Sequence, residues 1–378
     1  MLVIFLNNKI MTCDTIIPLA LEFRHRFPNR KILFIVFDNK TLSVLKSNIV
    51  IWNAIISCGK IFSVDIGSGK WFNLIRVMKV LSYILLRTLV SKVAFIHFKI
   101  LRENPFYFFY LINKKRTFFF ESESLTRTDY HDTYHDKYSK HKKIVTDRPS
   151  AEYYVCTTNR WSGIKNAVRY KKEVVITPSF RSSRLWIEYI DNIVNENFIP
   201  RNGPSIDKPI ITFLLGSLDK IPFTKTEIRK FLVKTLDVLD ELTGDTKVFL
   251  KPHFITDIDL LLEILKCRDK DKYIISYLHP SVLASRSIFV ICNCYSMAVL
   301  DAYFRSIPVV EYTDYNDNLL SLTNHGSIGF GVDYFINNDA SKLHRTLQSI
   351  MNGNIVSTSK IDYSNKVDFD YLFELLSR

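Results

Sequence analysis

The sequence lacks the short motifs that identify several common classes of protein. No CxxC pair occurs among its six cysteines, and their irregular spacing predicts free thiols in a reducing cytosol rather than a disulfide framework. No GxGxxG follows a predicted strand, and neither GxxxxGKS nor GxxxxGKT is present, which argues against a dehydrogenase and a P-loop phosphotransferase. Zinc-finger, RNA-recognition and base-reading helix signatures are missing as well, so nucleic acid is not expected as a partner.

Long uninterrupted apolar runs are also missing. The most apolar stretch, 71–98, is broken by Arg76, Lys79, Arg87 and Lys92, so that no run of about 18 uncharged residues remains to span a membrane. The stretch is either a buried helix followed by a core strand or a basic helix that lies among lipid headgroups. The opening residues, MLVIFLNNKIM, have no basic segment and no cleavage site, and they predict a first strand rather than a signal peptide.

The composition is that of a folded protein with an excess of positive charge. The chain has 378 residues, which is enough for about two domains. Its hydrophobic content of 47% and charged content of 24% are ordinary for a packed protein. The net charge of +13 indicates an anionic partner, such as an acidic membrane surface or a phosphorylated substrate, or else a merely basic surface.

Short β-rich runs alternate with helical patterns along the chain. Continuously apolar strands separated by helices are typical of parallel sheets that helices cover on both faces, so the predicted fold class is α/β with two Rossmann-like domains. A segment at 199–209 with three prolines and a glycine predicts a linker between domains at 1–198 and 210–360. A last helix, in 361–378, is expected to pack back on the first domain. The predicted strands are 2–6, 31–37, 60–66, 92–98, 116–120, 143–146, 173–177, 210–216, 247–250, 273–277, 288–292 and 308–312, and the predicted helices of the second half are 226–242, 257–266 and 296–305.

Polar side chains follow several strands of the second predicted domain. In open α/β sheets ligands bind beyond the carboxyl ends of the strands, so these turns are the expected site, in a cleft between the two domains. Ser296 is expected at the N-terminus of a helix, where free N–H groups bind anions, although a serine there is equally explained as an N-cap. The candidates are Gly216, Ser217 and Asp219 in LLGSLDK, Lys251 and His253 in LKPHF, and Asn293, Tyr295 and Ser296 in ICNCYSMAVLDA.

Together these turns resemble the nucleotide-sugar half of two-domain glycosyltransferases of the GT-B fold, whose parallel sheets face each other across a cleft. The features that carry the resemblance are the Gly-Ser turn, KPH at the end of the next strand, and SMAVLDA leading into IPVVEY. KPH followed about forty residues later by a serine-bearing turn is similar to bacterial enzymes that use CMP-activated acid sugars, namely sialyltransferases, polysialyltransferases and Kdo transferases. The motif match covers about residues 210–315, and Phe254 stands where many of these enzymes have a second proline, which puts the rigidity of the loop in doubt.

The resemblance implies a role for each group in transfer from a CMP-sugar. The transition state is similar to an oxocarbenium ion, so the site needs cations at the departing phosphate and a carboxylate near the anomeric carbon. His253, Lys251 and Ser296 are implied at the phosphate, with the sugar carboxylate as an alternative partner of Lys251. Asp219 is implied as the nucleophile of a retaining enzyme, and it is equally explained as a turn or capping residue. Neither a metal nor a cofactor is required.

The first predicted domain contributes two carboxylates directly after its strand at 116–120. Glu121 and Glu123 lie where related CMP-sugar transferases often carry an acidic turn, and either is a candidate catalytic acid or base, the base being what an inverting enzyme needs. The alternative is that they are solvent-facing charges on a loop. Three histidines follow in the same stretch, but their spacing without nearby cysteines does not predict a zinc site; they are His131, His135 and His141.

The predicted function is transfer of an acid sugar, with Kdo ahead of sialic acid, from a CMP donor to a lipid-linked or oligosaccharide acceptor in bacterial surface polysaccharide synthesis. A UDP- or GDP-sugar transferase is the alternative within the class. It should have a glutamate near the start of the last nucleotide-domain helix; VVEYTD offers Glu311, although at a strand end, so this alternative stays open. A non-catalytic GT-B-like glycan-binding or scaffold protein is the alternative outside it. The protein is expected in the cytoplasm, with its basic residues and the stretch 71–98 favouring peripheral attachment to the anionic inner face of the membrane.

Overall fold

The computed structural model describes residues 1–6, 10–64, 71–97, 113–120, 151–157, 171–195, 209–216, 224–242, 244, 246–253, 255–355, 357 and 369–378. These residues fall into two compact units. The first unit contains the described residues up to Trp186 together with 369–378, and the second unit contains those from Ile187 to 357.

Parallel strands form the sheet of the first unit, and every described pair of neighbours runs in the same direction. Their order across the sheet is β3-β2-β1-β4-β5-β6-β7. All residues of β1 and β2 are buried, which is why both strands are continuously apolar in sequence. The strands are β1 Leu2–Leu6, β2 Ile32–Val36, β3 Lys60–Ser63, β4 Ala94–His97, β5 Thr117–Phe120, β6 Tyr153–Cys156 and β7 Glu173–Ile176.

The second unit is built on a parallel sheet of its own, with the order β10-β9-β8-β11-β12-β13. Its strands are β8 Ile210–Leu215, β9 Val248–Pro252, β10 Tyr273–Ile275, β11 Ser287–Cys292, β12 Val309–Thr313 and β13 Tyr334–Asn337. The two parallel sheets with intervening helices confirm the predicted α/β class.

Helices connect the strands and cover the sheets. The helices among the described residues are α1 Ile10–Arg26, α2 Asn39–Ser47, α3 Ile49–Cys58, α4 Trp71–Val90, α5 Arg184–Asn195, α6 Lys225–Leu242, α7 Ile258–Leu265, α8 Pro280–Ala284, α9 Val299–Tyr303, α10 Asp317–Leu322, α11 Ala340–Met351 and α12 Asp370–Ser377.

The second unit has hydrophobic clusters on both faces of its sheet. On one face, α6, α7 and α11 bury leucines against strand residues such as Phe213 and Ile291. On the other face, small side chains of α8 and α9, including Ala284 and Ala302, pack against Leu214. Small residues at these positions let the short helices approach the sheet closely.

The last helix, α12, belongs to the first unit. Phe369, just before it, stacks on Phe180 with ring centroids 4.4 Å apart, and Phe373 lies 6.4 Å from Phe23 of α1. The division between the units falls inside α5, between Trp186 and Ile187. The predicted linker at 199–209 lies, except for its last residue, outside the described residues.

Several elements differ from the sequence predictions. β6 and β13 were not predicted, and the predicted strand at 143–146 lies outside the described residues. β9 extends through Pro252 because this proline pairs with Leu215 at the end of the ladder, where its missing N–H costs no bond inside the sheet. The helix predicted at 296–305 is only Val299–Tyr303, for reasons given with the site below.

The stretch 71–98 forms α4 and then β4. β4 is fully buried, whereas α4 buries only one face, through Val77, Val80 and Ile84. Among the described residues no single helix is long and apolar enough to cross a membrane. Only the pair of α2 and α3, which meet at a bend of 105°, has the length and composition of a span when the two are taken together.

Candidate functional site

The order of strands in the second unit creates a switch point between β8 and β11. From β8 the chain moves outward through β9 and β10, and it then returns to the other side of β8 to form β11. The loops after β8 and β11 therefore leave the sheet in opposite directions, and a crevice at such a point is where open α/β sheets bind ligands. Gly216 follows β8 and Asn293 follows β11.

A hydrogen bond joins these two loops at the switch point. The N–H of Gly216 donates to Oδ1 of Asn293 over 2.6 Å, and the Asn293 side chain is almost fully buried. A Cβ on Gly216 would lie 2.9 Å from the carbonyl oxygen of Cys294, so a larger residue would push the loops apart. Of the predicted donor-binding residues, Gly216 and Asn293 are thus brought together, and the amide of Asn293 positions the glycine turn.

The end of β9 holds the two candidate cations beside this switch point. Lys251 pairs with Leu214, and the N–H of His253 donates both to the carbonyl of Leu215, over 3.0 Å, and to Oγ1 of Thr256, over 2.9 Å. The His253 carbonyl in turn accepts from the N–H of Thr256 at 2.9 Å. The backbone that carries the histidine is therefore fixed on both sides, although Phe254, where related enzymes have proline, lies outside the described residues.

Lys251 has an aromatic neighbour on β10's side of the sheet. Its Nζ lies 5.8 Å from the ring centroid of Tyr277, which is a cation–π distance. Tyr277 is largely exposed, and both Lys251 and His253 are half-buried. The two side chains can therefore reach a ligand at the carboxyl edge without leaving the sheet.

The turn after β11 differs from the predicted helix start. Oγ of Ser296 accepts from the N–H of Ala298 at 3.3 Å, and its carbonyl accepts from the N–H of Val299 at 3.0 Å. These local bonds form a tight turn, so α9 begins only at Val299 and has 5 residues. The helix N-terminus predicted at Ser296 is therefore a turn that precedes α9, and the role of Ser296 in donor binding stays a prediction.

Tyr295 is packed in place by a glycine. A Cβ on Gly329 would lie 2.0 Å from Cζ of Tyr295, so the ring rests directly on the glycine backbone. The N–H of Tyr295 donates to the hydroxyl oxygen of Tyr315 over 3.4 Å, and its own hydroxyl donates to the sulfur of Met297 over 3.6 Å. The turn between β11 and α9 is thus held by the loops on either side of α10.

Glu311, on β12, is a buried carboxylate with hydroxyl partners. It has no exposed surface, and its two oxygens accept hydrogen bonds from the hydroxyls of Tyr315 and Ser327. Burial and the negative charge of Glu311 raise the pKa of Tyr315, and likewise that of the paired Cys292, well above their usual ranges. Tyr315 therefore remains a hydroxyl donor at any ordinary pH.

This network occupies the carboxylate that the UDP- or GDP-sugar alternative would need as a ligand for the nucleotide. Both oxygens are used inside the unit, and the residue lies within β12 rather than near the start of a helix. Through Tyr315 and Ser327 it fixes the loops on either side of Tyr295 and Gly329. The sequence signal for this role was a single charged residue in the apolar run PVVEY.

A second buried polar group was missed in the sequence. Nδ1 of His279 accepts from the N–H of Ser281 at 3.2 Å, and the Ser281 hydroxyl donates to Asp301 over 2.6 Å. All three side chains are buried, and they tie α8 to α9 directly below the β11 turn. Here too the signal was one aspartate inside an apolar pattern, AVLDA.

The remaining predicted residues lie outside the described part of the chain; they are Ser217, Asp219, Glu121 and Glu123, with the histidines His131, His135 and His141. Among the residues that the structure does describe, no group of at least three His, Cys, Asp or Glu side chains is placed to hold a metal ion.

In the first unit, polar side chains are buried where strands end. His97 is the last residue of β4, and burial lowers its pKa to about 3, so its ring is neutral. Asp14 of α1 accepts from the Arg181 guanidinium over 2.6 Å in a buried ion pair. Such a pair is costly to break on one side only, because the remaining charge stays buried.

Comparison with known proteins gives structural matches only. No family model matches the chain, and no curated protein matches it by sequence. Among solved structures, UDP-GlcNAc 2-epimerase from Methanocaldococcus jannaschii is similar with a TM-score of 0.55 and 13% identity, over 93% of this chain and 92% of that one. The MnaA–UDP complex of S. aureus has a TM-score of 0.52 and 14% identity, over 100% of this chain and 90% of that one. The wall teichoic acid polymerase TagF has a TM-score of 0.52 and 13% identity, over 93% of this chain and 80% of that one.

The chain has the GT-B fold. At these identities the similarity establishes the fold and not the reaction. The switch point between β8 and β11, in the C-terminal unit of this GT-B chain, is therefore the candidate site on the geometry described above.

Proposed function

We propose that this GT-B chain is a glycosyltransferase that binds a nucleotide-activated sugar at the carboxyl edge of its second sheet. The observation that carries the proposal is the switch point between β8 and β11, closed by the bond from Gly216 to Asn293 and flanked by Lys251 and His253. Glycine at the turn lets the loop after β11 pack against its backbone, and the neighbouring strand supplies the basic side chains that a phosphate requires.

The chemistry assigned to these cations is stabilisation of the leaving nucleotide. As the glycosidic bond to the phosphate breaks, negative charge grows on the phosphate oxygen, and cationic donors fixed in advance lower the barrier. The backbone bonds of His253 to Leu215 and Thr256 fix the backbone that carries its imidazole before the substrate arrives. Lys251, two residues earlier on β9, adds a full charge.

For the donor we propose a CMP-activated acid sugar, with Kdo first and sialic acid second, and for the acceptor a lipid-linked or free oligosaccharide of a bacterial surface polysaccharide. The KPH turn and the later serine-bearing turn support this donor. UDP-sugars are the second candidate, because two of the similar structures are a complex with UDP and a UDP-GlcNAc 2-epimerase. In the CMP reaction Asp219 is proposed as nucleophile of a retaining enzyme, and Glu121 or Glu123 as general base of an inverting one.

The test is a donor panel with the full chain. CMP-Kdo, CMP-sialic acid and common UDP-sugars are incubated with and without oligosaccharide acceptors, and free nucleotide and glycan products are measured by mass spectrometry. We expect acceptor-dependent release of nucleotide, and about a hundredfold loss of turnover in both His253→Ala and Lys251→Met. The matched controls are Lys247→Met, next to the opposite end of β9, and His344→Gln on α11, which should retain turnover.

Other results of the donor panel would change the proposed donor, reaction or residue roles. Release from UDP-sugars alone would overturn the CMP assignment, and an epimerised UDP-sugar without glycan product would replace transfer by epimerisation. Nucleotide binding without turnover across the panel would indicate a scaffold protein. Normal turnover in His253→Ala would remove the proposed phosphate role of that residue.

A further inference from the structure

The helix α4 of the first unit is apolar on the face that it turns to solvent. Its buried face contacts the sheet through Val77, Val80 and Ile84. On the opposite face the side chains of Leu86, Leu89 and Val90 are 65%, 78% and 75% exposed. Large apolar side chains at such exposure are individually ordinary, but a continuous patch of them on a folded chain usually marks an interaction surface.

The exposed side chains form one patch because of the helical repeat. At 100° per residue, positions 75, 78, 82, 86 and 89 fall on one stripe along the helix, and positions 85 and 90 border it. Each of these positions except Ser82 carries a large apolar residue with an exposed side chain, and the exposed Lys79 lies at an angle between positions 86 and 90. We call this the α4 patch; it consists of Ile75, Met78, Leu85, Leu86, Leu89 and Val90.

The charged side chains that the structure describes on α4 and directly after it are all basic. Lys79 and Lys92 are exposed beside it, and Arg87 lies at its edge with its guanidinium carbon 5.4 Å from the ring centroid of Tyr83. Between Asp65 and Glu103 the sequence has no acidic residue. An apolar stripe with the cations Lys79, Arg87 and Lys92 beside it matches an anionic bilayer surface, in which acyl chains lie beneath phosphate groups.

We propose that the α4 patch docks on a bilayer that contains anionic phospholipid, with Leu86 and Leu89 entering the acyl boundary and Lys79, Arg87 and Lys92 contacting phosphates. The helix then lies in the plane of the interface, on the first unit, while its inner face stays on the sheet. This inference does not depend on the proposed sugar transfer, since docking concerns a surface of the first unit and the donor site belongs to the second.

Charge also decides between a membrane and a second copy of the chain. In a symmetric dimer the same patch meets itself, so the cations around one α4 would approach those around the other. Like charges brought together in this way oppose association, whereas the same cations are attracted to anionic lipid.

The test measures binding of the full chain to sedimenting vesicles, without any sugar donor. Vesicles of phosphatidylcholine are compared with vesicles that also contain phosphatidylglycerol, at low and high salt. We expect binding only to the anionic vesicles, weakening at high salt. The double variant Leu86→Ser, Leu89→Ser should bind at least about tenfold less, and Lys79→Gln about fivefold less.

Matched controls come from the second unit. Leu262→Ser replaces an exposed leucine of α7, Lys270→Gln replaces an exposed lysine after it, and both should bind as the wild type does. Circular dichroism shows whether the double variant is folded, and Met78→Ser provides a single change on the same stripe if it is not.

Two results would overturn the proposal. The first is equal sedimentation of the wild type and a folded patch variant with anionic vesicles, including no binding by either. The second is a concentration-dependent dimer of the wild type that the double variant abolishes, because the patch would then be covered by a second copy. Loss of vesicle binding with normal donor turnover, or the reverse, separates this inference from the proposed function.

Discussion

Glu311 is a carboxylate in a place that excludes water, and its environment explains why the neighbouring loops have one conformation. A buried charge is tolerated when hydrogen bonds satisfy it, and here hydroxyls of Tyr315 and Ser327 donate to its two oxygens. Tyr315 also accepts from the N–H of Tyr295 in the turn after β11. One hydroxyl thus connects the buried charge with the candidate site.

Removal of the Tyr315 hydroxyl should lower the stability of the protein, because its hydrogen bonds to Glu311 and Tyr295 are lost. We expect Tyr315→Phe to lower the free energy of unfolding by about 1–3 kcal/mol, because it leaves one oxygen of Glu311 without its donor. The matched control is Tyr312→Phe on β12, whose buried hydroxyl has no hydrogen-bond partner among the described residues. This change should stay within about 0.5 kcal/mol. Urea unfolding measures both, and equal losses would show that the Glu311 bond is not the cause.

His97 makes the stability of the first unit depend on pH. Burial lowers its pKa to about 3 in the folded chain, whereas an exposed histidine titrates at about 6.5. Between these values the unfolded chain binds a proton that the folded chain does not, so stability falls as the pH is lowered through this window. From pH 7.5 to 5.5 this group should remove about 1.4 kcal/mol, and His97→Gln should abolish that part of the loss.

Denaturant unfolding at the two pH values measures this difference for each protein. His344→Gln is the control, because His344 is a partly exposed residue on α11 of the second unit. An unchanged pH dependence in His97→Gln would show that other groups carry the effect.

The strands are the elements that the amino-acid pattern predicted best. β1, β8 and β11 lie within a residue of their predicted ends, because a buried parallel strand must be apolar along its whole length. β13 was missed because half-buried side chains leave YFIN without that pattern. The helix start at Val299 could not be predicted, since Ser296 as an N-cap and Ser296 as part of a tight turn use the same residue type.

The residues of the candidate site were predicted better than their contacts. Gly216, Lys251, His253 and Asn293 were found because polar residues at the carboxyl ends of strands stand out in the sequence. The hydrogen bond between Gly216 and Asn293 was not predicted, because it joins residues 77 positions apart that follow strands brought together only by the sheet order. Local patterns contain no information on that order, and the buried partners of Glu311 depend on it as well.

The described chain forms two units, each with its own sheet, core and carboxyl edge. The position of the nucleotide can therefore be tested by measuring which unit becomes more stable when the nucleotide binds. A ligand that binds only the folded state adds about 2.7 kcal/mol of stability at a concentration a hundred times its dissociation constant. Local opening is suppressed mainly in the elements that contact the ligand. The second unit should therefore respond and the core of the first should not.

Hydrogen exchange with CMP and, separately, with UDP provides this measurement on the intact chain. We expect slower exchange in peptides that contain Gly216, His253 and Asn293, and unchanged exchange in β1 and β2. In Gly216→Ala the new Cβ meets the Cys294 carbonyl, so the protection should be lost while the exchange of the first unit stays as in the wild type. Protection confined to the first unit, or protection at His253 that persists in Gly216→Ala, would place the nucleotide elsewhere, because the proposed site needs the loops after β8 and β11 held together.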